Sequence, residues 1–219
     1  AATMLRAMEV VRRLGGVVID HCEDKTLSRG GAMHAGPEAE RWGVTGQSPL
    51  AEEVHIARDV LLAEATDCRL HIAHLSTARG LELVRWARRR GVAVTAEAAP
   101  HHFCLSTADM PGPDPNYKMN PPLRPPADRD ALVGGLAAGD IDAIATDHAP
   151  HADAEKARGF QDAPHGVIGL ETAVPLIMDR LYHTGRMGIG QIALACAVLP
   201  ARILGAPARS LQPGAAAHL

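Results

Sequence analysis

The hydrophobic residues of the chain recur with two alternating spacings, which predict helices and strands in turn. Apolar residues three or four positions apart, such as Leu81, Val84 and Ala87, are typical of one buried helix face. Short apolar runs that stop at polar residues are typical of strands in a parallel sheet. The predicted helices are 4–14, 49–66, 78–90, 127–138 and 169–183, and the predicted strands are 17–21, 70–74, 92–98 and 141–147.

Helices and strands alternate along the chain, and this order predicts a parallel sheet with right-handed crossover connections. The pattern supplies four strands, whereas a closed TIM-type (β/α)8 barrel needs eight. The simplest fold class is therefore α/β, a partial TIM-type barrel of about its second half, strands 5 to 8 with their helices. Residues 1–219 are expected to form a single partial domain, because no linker or internal repeat divides them.

Two segments carry finer structural predictions. Residues 25–48 are rich in glycine and polar groups, which predicts a long irregular loop. The next segment is predicted to begin a helix, because proline at its first position and glutamates in its first turn suit a helix N-terminus. Its buried face is expected to contain Leu50, Val54, Ala57 and Leu61.

Composition and charge exclude some classes of function. The net charge is −3, which gives no electrostatic reason to expect nucleic acid or an anionic membrane as a partner. An arginine cluster at 85–90 fits a helix C-terminus better than a nucleic-acid patch. The four cysteines are scattered singly, which predicts reduced thiols and a cytoplasmic setting. The chain opens without methionine and stops at Leu219 without an evident tail, so we expect truncation at both ends.

Three residues of the types that bind metal ions lie where predicted strands end. His21, His74 and Asp147 each close a short apolar run. Enzymes built on (β/α)8 barrels draw catalytic groups from the C-terminal ends of several strands. Zinc accepts imidazole nitrogens and carboxylate oxygens, and burying three ionisable groups together is costly without such compensation. Each residue alone has an ordinary alternative, since a single histidine is more often a packed core residue and Asp147 could cap a helix.

Several ordered motifs resemble dihydroorotase, in the bacterial class I branch of the amidohydrolase superfamily. The resemblance extends along essentially the whole chain and is far more specific than one short pattern. The motifs are Asp-His-Cys-Glu-Asp at 20–24, His-Ile-Ala-His-Leu-Ser-Thr at 71–77, Thr-Ala-Glu-Ala-Ala-Pro-His-His at 95–102, Lys-Met-Asn-Pro-Pro-Leu-Arg at 118–124, Ala-Thr-Asp-His-Ala-Pro-His at 145–151, Gly-Val-Ile-Gly-Leu-Glu-Thr at 166–172 and Pro-Ala-Arg-Ile-Leu-Gly at 200–205.

The resemblance implies a role for individual residues. His21 and His74 match the ligands that hold one zinc ion of a pair, so one or two Zn2+ ions are expected. Asp147 matches the aspartate that touches the other metal and shuttles the proton. The family reversibly cyclises N-carbamoyl-L-aspartate to L-dihydroorotate in pyrimidine synthesis, with a metal-bound water as nucleophile in the hydrolytic direction. The positions that match substrate contacts are Asn120, His151, His165 and Gly166, although the family usually has an aromatic residue at position 165.

Part of the family's site is absent from the sequence. The His-x-His of the first barrel strand, the bridging carboxylate of the fourth and an arginine near the first metal motif are not found. Asp20 cannot replace the bridge, because neighbouring residues of a strand face opposite sides. The isolated chain is therefore expected to be inactive, and an open half-barrel with free strand edges is expected to aggregate.

Three alternatives remain open. Allantoinases and dihydropyrimidinases share the barrel and the ligand pattern, and differ from dihydroorotases in the loops that hold the substrate. A non-catalytic relative that serves as a partner of aspartate transcarbamoylase is a second alternative, and retention of His21, His74 and Asp147 argues against it. The third is an α/β domain whose histidines serve only in packing. A homodimer is a possible assembly.

Overall fold

A computed structural model describes residues 1–207 and 212–215 of the chain. The chain end at 217–219, on which the expected C-terminal truncation rests, lies outside the described residues. The strands are β1 Val17–Asp20, β2 Met33–His34, β3 Gly46–Gln47, β4 Arg69–Ile72, β5 Val94–Ala98 and β6 Ala143–Ile144. The helices are α1 Ala2–Arg13, α2 Lys25–Ser28, α3 Pro37–Trp42, α4 Leu50–Thr66, α5 Ala78–Arg89, α6 Pro100–Cys104, α7 Pro126–Ala138, α8 Asp153–Lys156, α9 Leu170–Ile177, α10 Ile189–Ala193 and α11 Leu199–Ile203.

The main sheet has the strand order β1-β4-β5-β6, and every neighbouring pair is parallel. This confirms the predicted α/β class with a parallel sheet. Helices α1, α4, α5 and α7 pack in sequence beside one another. Aliphatic side chains such as Ile56, Leu70, Leu81 and Leu132 are fully buried in the core that includes the sheet and these helices. Because the strands are parallel, their carboxyl ends share one edge, which we call the rim.

The segment 25–48 is not the structureless loop that its composition predicts. It contains α2, β2, α3 and β3, and β2 pairs with β3 in a small parallel sheet. Two glycines permit this pairing. A Cβ on Gly31 would lie 2.4 Å from the backbone nitrogen of Gln47, and one on Gly46 would lie 2.5 Å from the Cα of Ala35. These glycines therefore serve close backbone approach rather than flexibility.

The predicted buried face of α4 is wrong. Leu50, Val54 and Leu61 are about half exposed, and the buried residues lie on a different face of the helix. That face includes two carboxylates, Glu52 and Asp59, which are buried because each has cationic and hydrogen-bonding partners. Hydrophobic periodicity treats such positions as solvent-facing and so misplaces the face. The buried residues of α4 are Ala51, Glu52, Ile56, Asp59, Val60 and Ala63.

Further boundaries differ from the prediction. Strand β4 ends at Ile72, so His74 lies two residues beyond it rather than on its last position. Strand β6 has two residues and ends at Ile144, so Asp147 lies in the loop beyond it rather than on its last position. The predicted helix over 169–183 is α9 followed by a π-helical stretch, Met178–Tyr182. Within the described ranges, no helix is both long enough and apolar enough to cross a membrane.

Candidate functional site

Two imidazoles meet at the rim of the sheet. His21 follows the end of β1, and His74 follows the end of β4, the strand paired with it. Nδ1 of His21 lies 3.0 Å from Nε2 of His74, and the two rings meet edge to face. Parallel pairing therefore brings together side chains 53 positions apart in the sequence. We call these two residues the rim pair.

Glu23 orients the first ring of the rim pair. Its Oε2 lies 2.9 Å from Nε2 of His21 and also contacts Nζ of Lys25. A carboxylate only accepts hydrogen bonds, so the neutral His21 ring carries its proton on Nε2 and directs the Nδ1 lone pair at His74. Burial disfavours the charged form of Glu23, but hydrogen bonds from Lys25, Ser28 and His21 hold its pKa well below the ordinary value. A carboxylate behind a ligating imidazole is a common arrangement in metal sites.

His74 is held in an unusual conformation. Its φ is +32°, in the left-handed region that favours glycine, while its backbone N–H is 3.4 Å from Oε1 of Glu97. Its buried Nδ1 has no hydrogen-bond partner. Burial and the neighbouring His21 lower the pKa of His74, which favours the neutral ring that a metal requires. Strain of this kind tends to occur at functional sites.

Asp147 also has a left-handed backbone, with a φ of +48°. Its carboxylate lies 3.9 Å from Nε2 of His101, a ring buried at the start of α6. Burial raises the pKa of Asp147, and the nearby His74 and His21 partly oppose that shift. The structure thus brings His21 and His74 into direct contact, whereas the ion-pair partner of Asp147 among the described residues is His101.

The rim pair fits a divalent cation in its donor chemistry. The two imidazoles face each other through ring nitrogens 3.0 Å apart, close to the separation of about 3.3 Å that two ligands with Zn–N distances of about 2.0 Å adopt in a tetrahedral site. Glu23 leaves the Nδ1 lone pair of His21 free for such an ion. Tetrahedral zinc takes four ligands, so two imidazoles form part of a ligand set.

Asn120 lies beside the rim pair. Its Nδ2 donates to Oε2 of Glu23 at 2.9 Å and lies 3.3 Å from Nε2 of His21. Its Oδ1 accepts from Nε2 of Gln47 at 3.0 Å. The amide is therefore fixed in orientation next to the first imidazole.

The other three predicted substrate residues form a group on the loop after β6. Nε2 of His151 donates to the carbonyl oxygen of His165 at 2.9 Å. Gly166 donates its N–H to the carbonyl oxygen of Lys118 at 3.0 Å, two residues before Asn120. A Cβ on Gly166 would lie 2.4 Å from the carbonyl oxygen of Ala149, and its φ is +141°, so this position requires glycine.

A cavity of about 320 Å³ opens near Asp147. His101 and Thr146 contribute to its wall, together with mainly apolar side chains such as Val167 and Leu176. None of the four predicted substrate residues lines it. Its apolar wall does not suit N-carbamoyl-L-aspartate or L-dihydroorotate, the carboxylate-bearing substrates that the sequence resemblance implies.

A buried ion pair fixes the loop behind His74. Oε1 of Glu52 accepts from the backbone N–H groups of Ser76 and Thr77 at 3.1 and 3.0 Å, and from the Thr77 hydroxyl at 2.8 Å. The guanidinium of Arg124 lies 3.6 Å from Oε2 of Glu52 and donates to the Ser76 hydroxyl at 3.0 Å. Two motifs far apart in the sequence are thus joined beside the rim pair.

Sequence reasoning missed three carboxylates that organise the site: Glu23, Glu52 and Glu97. Glu97 offered a signal, because an acidic residue stands within the apolar strand β5. Its Oε2 lies 3.0 Å from Nε2 of the buried His71. Glu23 lies in a polar segment after β1, and Glu52 lies in the first turn of α4, where glutamates are usually exposed. The sequence therefore gives no sign of their roles, which come from tertiary contacts.

Comparisons with known proteins identify relatives in both sequence and fold. A family model described as dihydro-orotase-like matches residues 1–80. Solved structures with the same fold include an L-hydantoinase (dihydropyrimidinase) from Arthrobacter aurescens, with a TM-score of 0.82 and 27% identity, and a D-hydantoinase (dihydropyrimidinase) from Thermus sp., with a TM-score of 0.77 and 28% identity. Each alignment covers 92% of this chain and 46% of the other. The fold and the family-model match therefore show that the chain is similar to hydantoinases and to dihydro-orotase-like proteins.

Curated relatives named dihydroorotase match this chain over its whole length. A dihydroorotase from Bacillus caldolyticus is 49% identical over all 219 residues, and one from Pelotomaculum thermopropionicum is 50% identical over the same length. The predicted resemblance to dihydroorotase is confirmed along the whole chain. The chain spans about half the length of these curated relatives, 51% in each case.

Proposed function

We propose that this chain supplies the second half of a zinc-dependent dihydroorotase barrel, with residues 1–219 as one partial domain. The observation that carries the proposal is the contact between His21 and His74 at the ends of paired strands, in a chain 49% identical to a dihydroorotase. The reaction is the reversible cyclisation of N-carbamoyl-L-aspartate to L-dihydroorotate. We place the protein in the cytoplasm, with a homodimer and aspartate transcarbamoylase as candidate assemblies.

His21 and His74 would hold one zinc ion, and Asp147 would contact a second. A bound divalent cation lowers the pKa of a water molecule toward about 7, which makes hydroxide available near neutral pH. Asp147 would hold and move the proton, a role supported by burial, which raises its pKa toward the working range of a general acid or base. The backbone strain at Asp147 is consistent with a fixed catalytic orientation.

The remaining polar residues would bind the substrate. Asn120 stands beside the rim pair and can donate to a substrate carboxylate. His151 and the backbone at His165 and Gly166 form a second group, held together by the His151–His165 hydrogen bond. The side chain of His165 replaces the usual aromatic residue, so its backbone is the part assigned to substrate binding.

The test is a substrate comparison on the whole protein that contains this chain. With Zn2+ added, dihydroorotate should be hydrolysed faster than hydantoin, dihydrouracil or allantoin. His21→Asn and His74→Asn should each lower kcat at least about a hundredfold, since changing only the groups that hydrogen-bond to metal ligands already costs about 10- to 100-fold. His183→Asn, at an exposed position, is the matched control and should retain full activity. Retention of activity in both rim-pair variants would reject the site.

One further outcome tests the proposal itself, and two others would favour an alternative function. The isolated chain with Zn2+ should show no turnover, because half of the ligand set is missing. A preference for dihydrouracil or hydantoin would favour the second candidate, a dihydropyrimidinase, which the likeness to two solved hydantoinases supports. Absence of bound zinc from the whole protein would favour a non-catalytic partner protein.

A further inference from the structure

A second group of ligand-type side chains lies on the opposite face of β1 from the rim pair. Asp20 and Cys22 flank His21 in the sequence and, as alternation along the strand requires, point away from it toward helix α4. There they meet His55 and Asp59, which are one helical turn apart. We call these four residues the outer cluster. One ligand atom from each of them can be chosen so that all four lie within 4.8 Å of one another.

The separations within the outer cluster suit a single ion. Nε2 of His55 lies 3.0 Å from Oδ2 of Asp20 and 3.3 Å from Oδ2 of Asp59. The sulfur of Cys22 lies 3.3 Å from Oδ2 of Asp20. Ligands about 2.0–2.3 Å from a tetrahedral zinc are separated by about 3.3–3.8 Å, so a small outward shift of these atoms would make room for the ion.

Burial gives the second, independent indication. The side chain of Asp59 has no exposed surface, and its Oδ2 lies 3.3 Å from Nε2 of His55 without meeting the geometry of a hydrogen bond. Nδ1 of His55 is also buried without a hydrogen-bond partner. A buried carboxylate oxygen whose nearest donor is poorly aligned is better satisfied by a bound cation. The side chains of Asp20 and His55 keep 16% and 12% of their surface exposed, which leaves a path for an ion.

We propose that the outer cluster binds a thiophilic divalent cation, Zn2+ or Cd2+, through Asp20, Cys22, His55 and Asp59. Oxygen, nitrogen and thiolate sulfur together are a donor set that zinc accepts and magnesium or calcium does not. The site is separate from the rim pair and does not depend on the proposed function. Its role is structural, because it joins the end of β1 to α4 behind His21.

Arg58 is the group that the cation must displace. Its Nε donates to Oδ1 of Asp59 at 2.6 Å, and its Nη2 contacts Nε2 of His55. Burial opposes a charged His55 ring, but hydrogen bonds to Asp20 and Asp59 raise the pKa of His55 to about 9. In the ion-free state the guanidinium and this ring together supply the positive charge of the cluster, so the cation must displace the His55 proton as well as Arg58. Its side chain is 31% exposed, so it can turn toward solvent and leave His55 to the ion.

The test uses the whole protein that contains this chain, stripped of metal and titrated with Co2+ alone. A thiolate-to-cobalt charge-transfer band should appear, since the rim pair contains no sulfur. Zinc X-ray absorption should show one sulfur neighbour at about 2.3 Å. Cys22→Ser should abolish both signals, and His55→Gln should weaken Co2+ binding at least about tenfold. Cys68→Ser, another buried cysteine outside the cluster, is the matched control and should keep both.

Two outcomes would overturn the proposal. One is a zinc spectrum with only nitrogen and oxygen neighbours in the unmodified chain, a measurement that needs no variant to fold. The other is a charge-transfer band that survives Cys22→Ser. The double variant His21→Asn/His74→Asn should keep the band, because neither imidazole of the rim pair belongs to the outer cluster. Because the readout is spectroscopic, failure of this proposal and failure of the proposed enzyme activity are distinguishable.

Discussion

Replacing Glu52 with alanine should remove a large part of the stability of the chain. Glu52 and Arg124 are each about 3% exposed, and they face each other across a distance of 3.6 Å. The substitution leaves a buried guanidinium without its counter-charge. It also removes the acceptor for the backbone N–H groups of Ser76 and Thr77. Breaking a buried ion pair from one side typically costs about 3–5 kcal/mol.

The magnitude can be measured by urea unfolding of the whole protein that contains this chain, followed by circular dichroism. With a slope of about 2 kcal/mol per molar urea, a loss of about 4 kcal/mol lowers the unfolding midpoint by about 2 M. The matched control is Glu53→Ala at the next position of the same first turn, where no ion pair is formed among the described residues. That substitution should lower the free energy of unfolding by only about 0.5 kcal/mol, as most surface substitutions do.

A double substitution separates the ion pair from general disruption. Glu52→Met combined with Arg124→Met removes both charges and keeps apolar volume. Paired replacements of this kind are often neutral or stabilising, so the double variant should be more stable than either single variant. A loss below about 1 kcal/mol in Glu52→Ala, or strict additivity of the two single changes, would refute the reasoning from this buried pair.

The remaining predictions concern pH, a backbone conformation and the core. Burial lowers the pKa of His102 to about 3, while its Nε2 bonds the carbonyl oxygen of Pro121 at 2.8 Å. The unfolded ring binds protons below about pH 6.5, so stability is full above that value and falls toward pH 3 by up to about 1.4 kcal/mol per unit. His102→Gln should reduce the dependence of the free energy of unfolding on pH between about pH 6.5 and 3. An unchanged slope in that variant would contradict the lowered pKa of His102 as its cause. Gly166→Ala should lower kcat/KM of the proposed dihydroorotase at least about tenfold and should also lower its melting temperature, because the new methyl group collides with the backbone of Ala149 and displaces the loop assigned to the substrate. The control Gly134→Ala, in an open helical position, should leave kcat/KM unchanged and stabilise by up to about 1 kcal/mol in urea unfolding. Phe103→Ala, at a fully buried position, should cost about 3–5 kcal/mol by the same measurement, and a loss under 1 kcal/mol would show that the site is not packed as described.

Much of the fold follows from local pattern. The spacing of Leu81, Val84 and Ala87 predicts the buried face of α5, and all three are fully buried. Alternating helices and strands are sufficient to predict a parallel sheet, because a crossover helix leaves few other arrangements. Ordered motifs along the chain are likewise sufficient to establish the resemblance to dihydroorotase.

The arrangement of the buried polar groups was decided by tertiary structure. Periodicity places Leu50 and Val54 inside and Glu52 and Asp59 outside, whereas the structure has the reverse. The physical reason is that a carboxylate can be buried once distant residues supply a counter-charge and hydrogen bonds, and such partners are invisible to a local pattern. The same holds for the rim pair: the sequence places each imidazole at a strand end, but only the strand pairing fixes their separation at 3.0 Å.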